Sequence, residues 1–481
     1  MSTKNDPRDD LVIQTIVDYV YQDHHFHEDA TLMRAAQLAL LDAMACLAEG
    51  LLVPACRRLL GPLVSGTVVP KGARVPGTPY VLDPVKAAFD IGAAIRWLDY
   101  NDTWLSKEWG HPSDNLGGIL AVSDLIAQEK KQEGQPALAL QDVLVAMIKA
   151  YEIQGMLAMD NAFNAVGLDH VILVKVATTA VVSPLLGLSR QEALTALSQA
   201  WIDGHSLRTY RHAPNVGDRK SWAAGDASAR GVFLALLAKK GISPCPSALT
   251  APRWGFQDVC FKQKPIGLSR SLGCQVLPNI LFKVSFPAEF HAQTAAEAAF
   301  ALYPAVRDRW DEIERVEVVT QQPGMDIIVK SGPLKNPADR DHCLQYIVAV
   351  ALLFGRLSAE SYSDAFARDS RIDALRKKMT VRVNPEFHRR YLDPNDRAIP
   401  NQLCVFFKDG SATDVVRVDY PLGHPKRRAE ALPYLQKKFE DAMRKLFPDR
   451  SVEEWEQQWR LPNKALSFLS WLTHFLPKTA G

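Results

Sequence analysis

Between Asp99 and Gly118 the chain reads DYNDTWLSKEWGHPSDNLGG, which gathers Asp99, Asp102, Thr103, His111 and Asp114 into sixteen residues. Carboxylates, a hydroxyl and an imidazole are the side chains that move protons, and an imidazole titrates near neutral pH. If the preceding run KAAFDIGAAIRWLDYND continues as a helix, Asp99 and Thr103 stand four residues apart and share a face. The chain then passes through Gly110, His111 and Pro112, and Ser113 or Asp114 is placed to cap the helix LGGILAVSDLI. His111 would stand at a helix mouth, where free backbone amides attract anions. The plainer alternative is a busy turn, with Asp99 capping something structural, Asp102 solvated and His111 hydrogen-bonded within the loop.

Other clusters bear on that choice. LRTYRHAPNVGDRKSWAAGD carries Arg208, Arg211, His212, Arg219 and Lys220 against Asp218, ahead of a helix beginning near Ser221. A cationic loop at a helix N-terminus suits a small polyanionic metabolite, although a solvated basic loop has the same composition. In GLDHVILVK, Asp169 and His170 open an apolar helical run, where a histidine can equally be a satisfied core group. LFKVSFPAEFHAQTA, with Lys283 and His291, joins two proposed units; interdomain clefts hold ligands, so Lys283 is a candidate carboxylate contact. The HHFH group near residue 24 reads as loop, with poor spacing for a metal. A glycine-rich phosphate loop, HExxH, GxSxG and an iron–sulfur cysteine set are all missing from the sequence, so the expected chemistry is acid–base work without cofactor or metal.

These residues must be positioned by a chain of 481 residues, long enough for two structural units. With 47% hydrophobic and 23% charged residues, core material is ample and extensive disorder is not expected. The net charge of +2 argues against wholesale attraction to nucleic acid or membrane, so any anion site must be local. No window approaches an uninterrupted apolar membrane span, and an Arg-rich leader is missing from the N-terminus, which points to the cytoplasm. Seven scattered cysteines read as reduced thiols.

From Asp10 to about Ala238 apolar residues recur at helical spacing, punctuated by Gly50 after one run, by Asp83-Pro84 opening the next, and by a capping box from Ser189 to Glu192. Gly231 inside a run marks close packing. After Lys283, β-branched alternation appears in IERVEVVT, MTVRVN, QLCVFFKDG and DVVRVDYP, with Asp409-Gly410 as a hairpin turn. The fold expected is mainly α: a helical domain over 1–278, an α+β lid over 279–423, and C-terminal helices over 424–481 returning to the first domain. The final SVEEWEQQWRLPNKALSFLSWLTHFLPKTAG, interrupted at Leu461-Pro462, reads as docking helices, with a partner or membrane helix as the alternative.

At DYNDTWLSKEWGHPSDNLGGILA, GLDHVILVKVA, SLRTYRHAPN, RKSWAAGDA, FKVSFPAEFHAQTA and NPADRDHCLQY the chain resembles the MmgE/PrpD family, over residues 10 to about 449. The extended LSKEWGHPSDN form is similar to the family's dehydratase branch, where the cis-aconitate decarboxylase branch has a shorter loop. The resemblance implies a homodimer with a cleft between helical body and lid, no cofactor, and dehydration of 2-methylcitrate to 2-methyl-cis-aconitate in propionate catabolism. By motif, the implied site falls on Asp99, Thr103, His111, His170, Lys220 and Lys283. Arg208, Arg211 and His212 are added as substrate-binding candidates on charge and local match. The rival readings are a cis-aconitate decarboxylase-like enzyme and a non-catalytic tricarboxylate-binding regulator.

Overall fold

The computed structural model describes residues 10–212, 214–460 and 465–478. Local sequence sets the helix starts. The Asp29 carboxylate accepts from the amides of Thr31 and Leu32 to open α1 (Ala30–Leu51), and Asp83, followed by Pro84, does the same for α2 (Pro84–Arg96). The following body helices are α3 (Leu116–Gln132), α4 (Leu140–Asp160), α5 (Val171–Leu185), α6 (Arg190–Ile202) and α7 (Arg219–Lys239), α6 opening on the Ser189–Glu192 capping box. A two-residue ribbon, Ala73–Arg74 with Val81–Leu82, interrupts the helical pattern.

Three of these helices approach closely because glycines line their crossing. A Cβ built on Gly92 of α2 would lie 2.8 Å from Gly225 Cα in α7, and one on Gly117 of α3 would lie 2.4 Å from the Ala88 carbonyl. Side chains there would force the backbones apart. The consequence is that the end of α2, the start of α3 and the start of α7 meet in one place. Gly50 does not end its run: it lies inside α1, where a Cβ would meet the Ala94 carbonyl at 2.2 Å, so close packing rather than termination explains it.

One hydrophobic core draws on residues from Ile13 to Val284 and again on Ala431 to Phe475. A second draws on Phe286 to Phe407. The second is built on a four-stranded sheet in the order β2 (Met379–Val383), β1 (Ile313–Thr320), β3 (Asn401–Phe407), β4 (Val416–Val418). β1 pairs parallel with β2, through Val318 opposite Val381, and antiparallel with β3; the β1–β2 crossover contains helix α9 (Leu344–Phe354). Side chains of α8 (Gln293–Val306) and α9 pack in this core with Val316, Val318 and Leu403 of the sheet. The two connections between the cores lie side by side, since the Phe282 amide donates to the Gly423 carbonyl at 3.1 Å.

Beyond that crossing, α10 (Arg428–Leu446) packs on the first core and buries Lys438, which donates to Asp42 at 2.6 Å and to the Lys283 carbonyl at 2.9 Å. Trp455 and Trp471 of the terminal segment are buried beside Phe439 and Phe475, so both tail helices dock on the protein's own core. The Leu461-Pro462 interruption lies outside the described residues. α1 is long and apolar enough to cross a membrane by length and composition, but 78% of its apolar window is buried in the protein. Arg34, Gln37 and Asp42 break its apolar run without excluding it from the core.

Candidate active site

The expected helical continuation to Thr103 does not form. α2 ends at Arg96, and Asp99 adopts a left-handed backbone with φ of 51°. Aspartate tolerates this region better than most residues, and the turn sends the chain into a pairing of Thr103 with Leu281, with mutual backbone bonds of 2.8 and 2.9 Å. Asp99 and Thr103 therefore reach opposite nitrogens of His111 through loop geometry rather than sharing a helical face.

The Asp99 carboxylate is the hub. It pairs with Arg96, lies 3.2 Å from Lys283 Nζ, and stands 3.7 Å from both His111 Nε2 and His342 Nε2. Lys283 also donates to the Asp99 carbonyl. Burial opposes ionisation, yet Arg96, Lys283, His342 and His111 hold this carboxyl well below the ordinary carboxylate range. Lys283 is completely buried, which lowers its own affinity for a proton despite Asp99.

His111 is fixed at both nitrogens. Trp104 and Gly110 exchange backbone bonds of 2.8 and 3.0 Å, closing the intervening loop so that His111 follows at its base. Its Nδ1 lies 2.6 Å from the Asp102 carbonyl and so carries the hydrogen, with Thr103 Oγ1 at 3.4 Å. Nε2 therefore presents a lone pair, to which Arg96 Nη2 donates at 2.8 Å. Burial and then Arg96 push the imidazole well below 6.5, so it is neutral. Ser113 and Asp114 do not cap α3 as expected: Ser113 donates to Asp102 at 2.7 Å, and Asp114 accepts from Asn101 at 3.0 Å. Neither is solvated, and burial pushes Asp102 up to about 6 and Asp114 up to about 7.

His170 precedes α5, its ring 5.8 Å from that of His111. Gly110 permits this approach, since a Cβ there would lie 3.3 Å from the His170 ring. Burial drives its pKa down to about 3, and neither ring nitrogen has a hydrogen-bond partner among the described residues. Neighbouring Asp169 is held by Arg211 through two bonds, one of 3.0 Å from Nη2, with Arg208 Nη1 at 3.7 Å. Arg208 lies over Trp109 at 5.3 Å, near Glu108, which burial pushes up to about 7.

Lys220, in the first turn of α7, donates to Asp341 at 2.6 Å and approaches His342 Nδ1 at 2.8 Å. Burial lowers its proton affinity, against the pull of Asp341. Through these contacts the second core reaches the Asp99 hub.

Of the residues chosen from sequence, Asp99, Thr103, His111, His170, Lys220 and Lys283 converge, and Arg208 and Arg211 form an adjacent layer through Asp169. His212 is exposed. His291 is turned elsewhere, toward Glu289 at 2.7 Å and Tyr391 at 3.1 Å. Arg96, Asp341 and His342 were missed, although NPADRDHCLQY contains the last two. In the HHFH group Phe26 is buried under the half-buried His24, while the exposed His25, His27 and Glu28 bring one ligand atom each to within 4.8 Å of one another, closer than sequence spacing suggested.

Comparison with known proteins bears on this arrangement. The family model of the MmgE/PrpD N-terminal domain matches residues 14–269, and that of the MmgE/PrpD C-terminal domain matches 286–461. The chain is 56% identical over 450 residues to 2-methylcitrate dehydratase of Salmonella typhimurium, covering 93% of each chain. It is 55% identical over 451 residues to that of Cupriavidus necator, again covering 93% of each. The mitochondrial 2-methylcitrate dehydratase of Yarrowia lipolytica is 52% identical, over 93% of this chain and 86% of its own. With both domains matched and such identity along nearly its whole length, this chain belongs to the MmgE/PrpD family.

Proposed function

We propose that the protein is a 2-methylcitrate dehydratase, a hydro-lyase that removes water from 2-methylcitrate to give 2-methyl-cis-aconitate in propionate catabolism. The observation that carries this reading is the convergence of Arg96, Lys220, Lys283, His111 and His170 around Asp99. Relatives of that name share more than half of the sequence.

Elimination requires a base for the proton alpha to a carboxylate and an acid for the departing hydroxyl. The C–H electron pair becomes the double bond, the C–O bond breaks, and the hydroxyl leaves as water. His111 and His170 are the proposed proton-transfer pair. Neutral His111 suits the base once Arg96 Nη2, which donates to its Nε2 lone pair at 2.8 Å, turns to a substrate carboxylate, and each such group contributes on the order of 10² to 10⁴-fold. Asp99 orients His111 through Arg96, which it pairs with and which donates to Nε2, and Thr103 is a hydrogen-bond contact. Lys220 and Lys283 stabilise charge on the reacting carboxylate, at roughly 3 kcal/mol for each preorganised donor. Arg208 and Arg211 hold carboxylates away from the reaction, while His212 stands at the rim.

The Asp99 carboxylate is already engaged by four cationic or imidazole groups, a donor set that supports metal-independent catalysis. The domain reading is a helical body over 1–278 and 424–481 with a lid over 279–423, supported by the two separate cores. A homodimeric, cytoplasmic enzyme for a small tricarboxylate, without nucleic-acid or membrane partner, completes the proposal; the net charge of +2 supports its last part.

The test is a panel of 2-methylcitrate, citrate, isocitrate and cis-aconitate on chelator-treated protein. Multiple-turnover enoate absorbance from 2-methylcitrate is expected. Carbon dioxide from cis-aconitate would instead favour a decarboxylase, binding without turnover a regulator, and reversible loss on chelation would overturn metal independence.

A further inference from the structure

A third imidazole reaches the same hub. His342 precedes α9, whose side chains belong to the second core, and its Nε2 lies 3.7 Å from Asp99 Oδ2. Its Nδ1 lies 2.7 Å from Asp341 Oδ1. The three site histidines differ in what faces them. His111 Nε2 receives the Arg96 guanidinium, and His170 has a carboxylate at one ring nitrogen only, Asp169 at 3.4 Å from Nδ1. Of the three, His342 alone has a carboxylate at each ring nitrogen, the arrangement that stabilises an imidazolium.

Accessibility separates them too. The His342 side chain is 20% exposed, against 9% for His111 and 3% for His170. An acid that gives up a proton each turnover must recover one from solvent, and His342 is the best placed to do so. The charged groups facing it are Lys220 from α7, Asp99 after α2, Glu289 before α8 and Asp341 beside it. In the empty site burial and then Lys220 lower its proton affinity, against the pull of Asp341 and Asp99. A tricarboxylate entering against Lys220 and Lys283 brings negative charge that opposes this lowering.

We infer that His342 is the general acid of the elimination, with Asp341 as its positioning residue. The inference rests on the dehydratase reading above. The imidazolium Nε2–H bond breaks as its proton passes to the hydroxyl oxygen, the C–O bond pair leaves with water, and neutral His342 remains until solvent reprotonates it. His111 is then the base, and His170, a neutral neighbour that shapes the cleft, gives way to His342 in the proton-transfer pair proposed above.

The test is kcat and KM for 2-methylcitrate across pH, on wild type, His342→Gln and Asp341→Asn. An acid must be protonated to act, so wild-type kcat should fall as pH rises through the imidazolium pKa. His342→Gln should lower kcat by roughly 10² to 10⁴-fold with KM changed less than about threefold, and should remove that alkaline limb. Asp341→Asn should shift the limb to lower pH, because a lost carboxylate destabilises the imidazolium. A His342→Gln kcat within about threefold of wild type, or an unchanged alkaline limb, overturns the inference. If circular dichroism shows that His342→Gln does not fold, an unshifted limb in Asp341→Asn overturns it. Absence of wild-type turnover overturns both this inference and the dehydratase reading, whereas normal wild-type turnover with an unaffected variant overturns the inference alone.

Discussion

At the scale of single residues, His170 shows how a site group also bears on stability. Burial holds its folded pKa at about 3, below the ordinary 6.5. A depressed pKa contributes stability that is complete above 6.5, because as pH falls the unfolded chain takes up a proton that the folded chain refuses. Thermal melting should therefore drop between pH 6.5 and 4, and His170→Gln should flatten that drop; equal slopes for the two proteins would show that His170 does not titrate this way. The residues legible in the sequence were those whose chemistry stands out in short motifs: Asp99, His111, Lys220 and Lys283. Arg96 was illegible because it looks like an ordinary helix-end arginine, and its role arises only when the chain reverses at Asp99. His342 and Asp341 were in view within a quoted motif. Nothing local places them beside Lys220, since that contact spans 121 residues of sequence.

At the scale of elements, the helix starts at Pro84 and Arg190, the four strands and the Asp409-Gly410 turn stand where caps and periodicity point, whereas the expected Ser113 or Asp114 cap does not form. What periodicity does not reveal is the backbone contact between helices. Gly92, Gly117 and Gly225 let α2, α3 and α7 close on one another, at the end of α7 that carries Lys220. A Cβ on Gly225 would lie 2.6 Å from the Phe89 carbonyl and 2.7 Å from the Ala93 amide, both rigid backbone atoms. Gly225→Ala should therefore cost about 1 to 3 kcal/mol, seen as a lowered midpoint in urea unfolding, and should raise KM by displacing Lys220. An unchanged midpoint would mean that the helices separate without penalty. Gly50 was misread for the same reason, as a terminator where it is a packing contact.

At the scale of the whole molecule, two cores share one polar seam. Lys220 and Asp99 from the first meet Asp341 and His342 from the second, while Lys283 lies where the chain crosses between them and is braced by Lys438 of the returning helix. Composition pointed to two units, but the seam is set by tertiary contacts across hundreds of residues. A recess elsewhere on the body, about 210 Å³ in volume, is lined by Lys175 and Arg230 but also by Asp203 and Asp226, with Asp203 pairing both cations at 3.1 and 2.8 Å, so it offers no unpaired positive charge to an anion. The most direct measurement is a crystal structure with 2-methyl-cis-aconitate bound. Its carboxylates should contact Lys220 and Lys283, with the reacting carbons about 3 to 3.5 Å from His111 Nε2. Product held only in the Lys175–Arg230 recess, with His111 and Lys220 untouched, would contradict the account.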